Sequence, residues 1–340
     1  MKLKFLNSNR LEIFKSSIFK IPLIIFLILI FNLNFMSNYT NFTFGNVLKE
    51  SLKDVLTMMG PDDTPLVSSL PVSPNKPEQF IHEFVRYEIS RPTTNGAIIN
   101  GADLTFPDAS NAVRDVNYVQ EIAEPIKVSY TQIASSSATP KGASDTLATA
   151  KMNAAIVWKL KLERSLLLNT GQTGSSTQAT EMKGLINGAG VVHHSLNING
   201  TLTETKLNEA MQLIWENVNP TVADEIMAFL DPAVKAFISR NYLSSIQRNV
   251  EESKEKRLFT NVIAYSSDFG TVQLIAHKDL KNTGRGVIIA KNSYMIAYMQ
   301  KPRYEELAKT GPADKGMIYG AATLEFLYPK SGVKLNNIST

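Results

Sequence analysis

A chain of 340 residues, 44% hydrophobic and 19% charged, holds enough apolar material for one large domain or two modest ones. It has no cysteine, which excludes disulfides, thiolate metal sites and a cysteine nucleophile, and its four histidines (His82, His193, His194, His277) show no His-x-x-x-His spacing for zinc. Residues 1–35 hold Lys2, Lys4, Arg10, Lys15 and Lys20 against Glu12 alone; taking these from the 35 basic and 31 acidic residues leaves the chain neutral from Met36 onward. The uncompensated basic face of a dedicated nucleic-acid binder is therefore missing.

The first 35 residues stand apart. Ile21 to Phe31 is an unbroken apolar run behind scattered positive charge, the pattern of a secretory signal or membrane anchor. It is shorter than the ~20 residues that span a bilayer. Ile18, Phe19, Leu33 and Phe35 extend it, while Lys20, Asn32 and Asn34 interrupt it, and no Ala-x-Ala cleavage site follows. The segment lacks Ala, Gly, Val, Thr and Asp and is dominated by Leu, Ile, Phe, Asn and Lys. That composition favours translated upstream sequence with Met36 as the start; a signal or anchor is the alternative.

Residues 36–79 read as an arm. Asn46–Met59 places Val47, Leu48, Leu52, Val55, Leu56 and Met59 on one helical face, and Gly60-Pro61 stops that helix. Asp62-Asp63-Thr64-Pro65 is turn chemistry, and Val72–Pro77, with two prolines and Pro71 just before it, suits a strap across other surfaces. Residues 80–140 predict an extended β loop and a return strand: Phe80–Ile89 has strand composition, Gly96, Asn100-Gly101 and Pro107 mark a long loop, and Pro125–Ile133 alternates. Within 141–199, Ser144–Asn169 predicts a helix of roughly 39 Å, with Ser144 as N-cap, Asp145 in the first turn and Gly171 as the stop. Met152, Ile156, Leu160, Glu163 and Leu167 follow a one-face spacing, with Ala155 and Val157 beside them, and Gly171–Thr180 reads as a flexible loop.

A compact unit is expected over 200–285. Thr203 caps a helix with Leu207, Met211, Trp215 and Val218 on one side. Glu225–Leu230 reads as a buried strand, Asp231-Pro232 opens a further helix, and strands follow at Thr260–Tyr265 and Thr271–His277. Residues 286–340 supply return strands at Gly286–Ala290, Tyr294–Met299 and Met317–Tyr328, expected beside the long helix.

No residue set assembles a catalytic, cofactor or metal site. Gly171-Gln-Thr-Gly-Ser-Ser176 lacks the lysine of a phosphate loop. His193-His194 follow Gly188-Ala189-Gly190 and, as strand neighbours, point to opposite faces. Asp62-Asp63 fits a solvated turn better than an acid–base pair, and Glu251–Arg257 is a mixed-charge run suited to an exposed face. Sequons at Asn38, Asn41, Asn199 and Asn337 matter only for a secreted chain.

Several short motifs follow one another along the chain: Pro61-Asp62-Asp63-Thr64-Pro65, His82-Glu83-Phe84, Gly101-Ala102-Asp103, Asn117-Tyr118-Val119-Gln120 and Val128-Ser129-Tyr130-Thr131. Glu163 through Asn169, Ser267-Asp268-Phe269-Gly270, Leu307–Gly311 and Thr323-Leu324-Glu325 complete the series over about 45–330. In their shared order these resemble a family of tailed-phage major capsid proteins with the Hong Kong 97 type fold. Phe84 stands where the family has Trp, the long helix lacks a Glu-x-x-x-Gln near its start, and Thr310-Gly311 runs into Pro312-Ala313-Asp314. The resemblance implies an α+β fold with an N-terminal arm, an extended β loop, a spine helix in a peripheral domain and a compact axial domain. It implies a non-enzymatic shell protein that self-assembles through hexameric and pentameric capsomers into an icosahedral phage head. Scaffold, portal and decoration proteins are implied partners, packaged DNA is a neighbour by non-specific proximity, and assembly is expected in the host cytoplasm. An encapsulin-like nanocompartment is the runner-up; a membrane-anchored or secreted surface protein would follow if residues 1–35 were genuine.

Overall fold

The computed structural model describes residues 64–87, 95–103, 112–134, 146–217, 225–245 and 264–339. Among them are five α-helices and thirteen strands. In chain order these begin with α1 (Pro65–Ser69), β1 (Ile81–Tyr87), β2 (Ala112–Tyr118), β3 (Gln120–Ser129) and α2 (Tyr130–Ala134). The long helix α3 (Thr146–Leu168) follows, then β4 (Thr170–Gln172), β5 (Glu181–Lys183), β6 (His194–Gly200) and α4 (Glu204–Asn217). Next come β7 (Ile226–Leu230), α5 (Pro232–Ser245), β8 (Ala264–Ser267), β9 (Gly270–Ala276) and β10 (Gly286–Ala290). β11 (Tyr294–Glu306), β12 (Ala313–Phe326) and β13 (Gly332–Ile338) close the chain.

Two sheets organise the body. β12 lies between β11 and β3 in an antiparallel three-stranded sheet, and α3 packs across it. At 23 residues α3 is about 34 Å long. Its buried line is Ala154, Trp158, Leu162 and Leu166, not the Met152–Ile156–Leu160 line expected from spacing, and Met152 is 62% exposed. The helix is turned by Trp158, whose ring needs the space above the sheet and whose Nε1–H donates to the Ile122 carbonyl at 2.8 Å.

The second sheet has the order β6-β13-β10-β7-β9-β8. Every residue of β7 and β10 is buried. Met227, Phe229, Val287 and Ile289 point into one apolar cluster, shared with α3 and the three-stranded sheet. Ile226, Ala228, Leu230 and Ile288 point into another, closed by Leu207, Met211 and Ile214 of α4 and Val234 and Ile238 of α5. Burial on both faces explains why these strands read as continuous apolar runs without alternation. Gly286–Ala290, expected as a return strand beside the long helix, is instead β10, paired with β7 and β13 inside this sheet, and β13, which the sequence did not announce, pairs with β6.

Smaller expectations divide similarly. Asp231 caps α5 as read, its Oδ1 accepting from Ala233 N at 3.0 Å. The strap expectation for Val72–Pro77 matches its start: Ser73 N donates to the Ile296 carbonyl, and Ile296 N donates to that of Pro71. Gly171–Thr180 is not a free loop: Thr170 and Gln172 pair with Lys183 and Glu181, and Gly171 takes φ +85° in close contact with Lys183. Trp215 is 51% exposed rather than on the packed side of α4, which is formed by Leu207, Ala210, Met211 and Ile214. The alternating strand expected to Ile133 ends at Ser129, where Tyr130–Ala134 turns helical. The arm helix, Asp62-Asp63, Ser144, Asp145, Val218, Pro107, Glu251–Arg257 and residues 1–35 lie outside the described residues.

Candidate functional site

The motifs that were scattered along the sequence meet at buried polar joints. Glu163 lies on α3 among Leu162, Leu166 and Leu167 and is almost wholly buried. Its Oε1 accepts from Leu66 N and its Oε2 from Val67 N, each at 2.7 Å. The carboxylate thus takes up two backbone donors at the start of α1, the Thr64-Pro65 end of the first motif. Such free amides need an acceptor, and a negative one suits them best.

The third partner of Glu163 is His277, just past β9, at 2.8 Å from Nε2 to Oε1. His277 Nδ1 accepts from Asp279 N at 3.2 Å. One ring nitrogen therefore accepts and the other donates, which makes the imidazole the neutral Nε2–H tautomer. Glu163 joins three segments far apart in sequence: α1, the long helix and the end of β9. Sequence reasoning gave His277 no role; its one signal is its place directly after the apolar strand Thr271–Ala276.

A second joint holds the β1–β2 hairpin. Glu325 on β12 accepts from Ser73 Oγ at 2.5 Å and faces His82 Nε2 at 3.8 Å. Burial alone would raise the Glu325 carboxyl, but the nearby His82 ring and the hydrogen bond from Ser73 outweigh it and hold the group below its usual range. Beside it Phe84 packs edge-on against Phe326, ring centroids 4.8 Å apart. Asn117, fully buried, donates to the Leu324 carbonyl at 2.6 Å and accepts from Lys183 N at 2.7 Å. Gln120 completes the series, accepting from Asn169 Nδ2 at 2.7 Å and donating to Ser165 Oγ at 3.1 Å. Four motifs thus lock the hairpin root to α3 and β12.

A pH prediction follows from Glu325. A carboxyl with a depressed folded pKa adds stability above its unfolded pKa, ~4.3, and loses it as pH falls through the folded value. Stability of the chain should therefore fall below about pH 4.3, and Glu325→Gln should remove part of that slope while lowering stability at neutral pH. Denaturant midpoints of both chains between pH 3 and 7 check this; parallel curves over that range would contradict it.

The same hairpin presents an open outer face. Ile81, Val85 and Tyr87 alternate outward while His82 and Phe84 point inward, and Tyr87 is 65% exposed. At the loop tip Ile99 is 82% exposed and Ile98 stands beside it, near the exposed Gly101-Ala102-Asp103. Ile81, Val85, Tyr87, Ile98 and Ile99 are thus large apolar groups left in water, with the Glu83–Arg114 ion pair on the same strand face.

The remaining candidates have structural roles. Ser267-Asp268-Phe269-Gly270 is the β8–β9 turn, closed by Ser267 Oγ donating to the Gly270 carbonyl. Val128 is buried in β3, and Lys309 pairs with Asp314 at 2.9 Å beside the β11–β12 turn. His193 lies just before β6, so the two imidazoles do not point to opposite faces as expected but stack edge-on at 4.9 Å; burial, with the charge of His193, lowers the His194 pKa. Among the described residues no group of three or more His, Asp or Glu is placed to hold a metal ion, and no helix is long and apolar enough to cross a membrane.

Known structures share this fold. The capsid of cyanophage A-1(L) superposes with a TM-score of 0.63 at 13% identity, covering 87% of this chain and 98% of that one. The capsid of cyanophage P-SCSP1u gives 0.58 at 10% identity, over 86% and 93%. The SrpI encapsulin from Synechococcus elongatus gives 0.53 at 14% identity, over 85% and 92%. The fold alone therefore does not separate a phage head from a nanocompartment. No curated protein matches the chain in sequence. The family model does separate the two: that of the SU10 major capsid protein matches residues 36–339. With the Hong Kong 97 type α+β body and its outward-facing hairpin, the match is decisive: the chain belongs to the SU10 major capsid protein family, structural proteins that self-assemble into the capsid of the virion.

Proposed function

We propose that the chain builds an icosahedral phage head through hexameric and pentameric capsomers, by offering the β1–β2 hairpin and its loop to neighbouring subunits. The observation that carries this reading is the exposure of Ile81, Val85 and Tyr87 on the outer face of the hairpin and of Ile98 and Ile99 in its loop. Its inner face is fixed by Glu325, Asn117 and Phe84, so the outer face is presented rigidly. In this reading α3 and the three-stranded sheet form a peripheral part and the six-stranded sheet an axial part. Scaffold, portal and decoration proteins are further partners, packaged DNA touches the shell by proximity alone, and assembly takes place in the host cytoplasm. The residues act by packing, without a catalytic step.

The test is the assembly state of the full chain, produced alone and with scaffold and portal supplied. Sedimentation and negative-stain microscopy should show capsomers or shells. A stable monomer at high concentration under both conditions would overturn the reading.

A further inference from the structure

The loop beyond β1 carries a doubled sequence, Asn95-Gly96-Ala97 and Asn100-Gly101-Ala102, on either side of Ile98-Ile99. Two more Asn-Gly pairs stand at Asn187-Gly188 and Asn199-Gly200. Asparagine before glycine can react with its own backbone. The next amide nitrogen is placed to close a five-membered ring on the side-chain carbonyl carbon, and glycine has no Cβ to shield that nitrogen or restrict its rotation. The fold treats the four pairs differently. Asn187 is pinned at both ends: its Nδ2 donates to the Leu168 carbonyl at 2.5 Å and its Oδ1 accepts from Arg285 at 3.1 Å. Gly188 N is committed to the Gly184 carbonyl at 3.0 Å. Asn199 ends β6, where Gly200 pairs with Ile338 and its carbonyl accepts from Ser339 N at 2.9 Å. The loop pairs are open. Both asparagines and both glycines are exposed, and each glycine has positive φ with nothing within 4 Å of where a Cβ would stand. Among the described residues neither glycine N–H donates to a backbone carbonyl. Ala97 N donates to Asn95 Oδ1 at 3.3 Å, which lays the side-chain carbonyl along the Gly96 peptide and puts a donor on the oxygen that gains charge under attack. Asn100 and Gly101 are the central residues of a turn closed by Ala102 N and the Ile99 carbonyl at 3.0 Å.

We infer that Asn95 and Asn100 are sites of spontaneous deamidation, and that their conversion limits how long a free subunit stays competent to assemble. The second half rests on the self-assembly reading. The Gly96 or Gly101 nitrogen loses its proton to solvent and bonds to the asparagine Cγ; the Cγ–Nδ2 bond breaks and Nδ2 leaves as ammonia. Water then opens the succinimide at either carbonyl, giving aspartate or, with an extra methylene in the main chain, isoaspartate. One amide and one water become one carboxylate and one ammonium, with nothing oxidised or reduced. Two new carboxylates then bracket Ile98 and Ile99, next to Asp103. Charges on both sides make the apolar pair costlier to take out of water, and isoaspartate breaks the spacing of the Ile99–Ala102 turn.

The test holds the full chain as isolated subunit in mildly alkaline buffer and samples it over weeks. Each event exchanges –NH2 for –OH, and tandem mass spectrometry of the tryptic peptides 87–114 and 184–206 locates it. Asn95 and Asn100 should convert at least tenfold faster than Asn187, with Asn199 between. In denaturant the four rates should converge, because the protection of Asn187 comes from its partners in the fold. Conversion of Asn187 in the folded chain as fast as in the loop, or an unchanged loop while the denatured chain converts, would overturn the sites. Particle yield of the aged chain should fall in step with the converted fraction. Asn95→Ser with Asn100→Ser should give the same yield before and after ageing, and fresh Asn95→Asp with Asn100→Asp should be low from the outset. Undiminished yield from the converted chain or from the aspartate variant would overturn the limit on assembly. Failure of the fresh unsubstituted chain to form particles would instead remove the self-assembly reading, and the peptide map would still decide the two sites.

Discussion

Glu163→Ala should be the most damaging single substitution in the body of the subunit. It removes the acceptor for Leu66 N, Val67 N and His277 Nε2 at once, at a position too buried for water to take over. Each orphaned donor costs about 1–3 kcal/mol, so the three together cost about 3–9 kcal/mol. Against a total stability of about 5–15 kcal/mol, most of the soluble subunit should be lost, with the Tm of any remainder lowered by roughly 10 °C. Glu163→Gln retains one acceptor oxygen but sets its amide against a backbone donor, so about half of that loss is expected. His277→Gln can still donate to Glu163 and should be the mildest of the three. Thermal unfolding and soluble yield of the three variants give the ranking. Equal effects from Glu163→Gln and Glu163→Ala would show that size at this position matters and hydrogen bonding does not.

Glu163 also shows how far sequence reasoning reaches. Its place in the long helix and the helix itself were legible, because Ser144–Asn169 is uninterrupted by Gly or Pro. Its partners were not, since Leu66 and His277 lie 97 and 114 residues away and no local pattern encodes such a pairing. The face of the helix was misread for a related reason. Met152, Ile156 and Leu160 have good spacing, but Trp158 has more apolar surface to bury and a donor to satisfy, and it decides the rotation. β7 and β10 were legible as buried strands from composition. Their common sheet was not, because an apolar run reads the same whichever neighbour it pairs with. β13, with Asn336 and Asn337 among its seven residues, lacked even that signal. The hairpin was the reverse case: Phe80–Ile89 read plainly as a strand, but the exposure of Ile98 and Ile99 belongs to the structure alone.

Shortening the loop should separate assembly from folding. Replacing Thr93–Asp103 by an Asn-Gly turn removes Ile98 and Ile99, while the ladder from Ile81↔Tyr118 to Tyr87↔Ala112 remains available to close the hairpin. The Glu325, Asn117 and Glu163 joints are untouched, so the unfolding midpoint of the isolated subunit should move little. Assembly should respond differently. Burying two isoleucines is worth about 1.5–3 kcal/mol each, so each intersubunit contact loses roughly two to four powers of ten in its association constant. Every subunit carries the same deletion, and the loss repeats around a closed shell. Particle yield by sedimentation should fall to background, while soluble subunit or small oligomers persist. Normal shells from the shortened chain would refute the loop's part in assembly. A collapsed unfolding midpoint would show instead that residues 93–103 belong to the core of their own subunit.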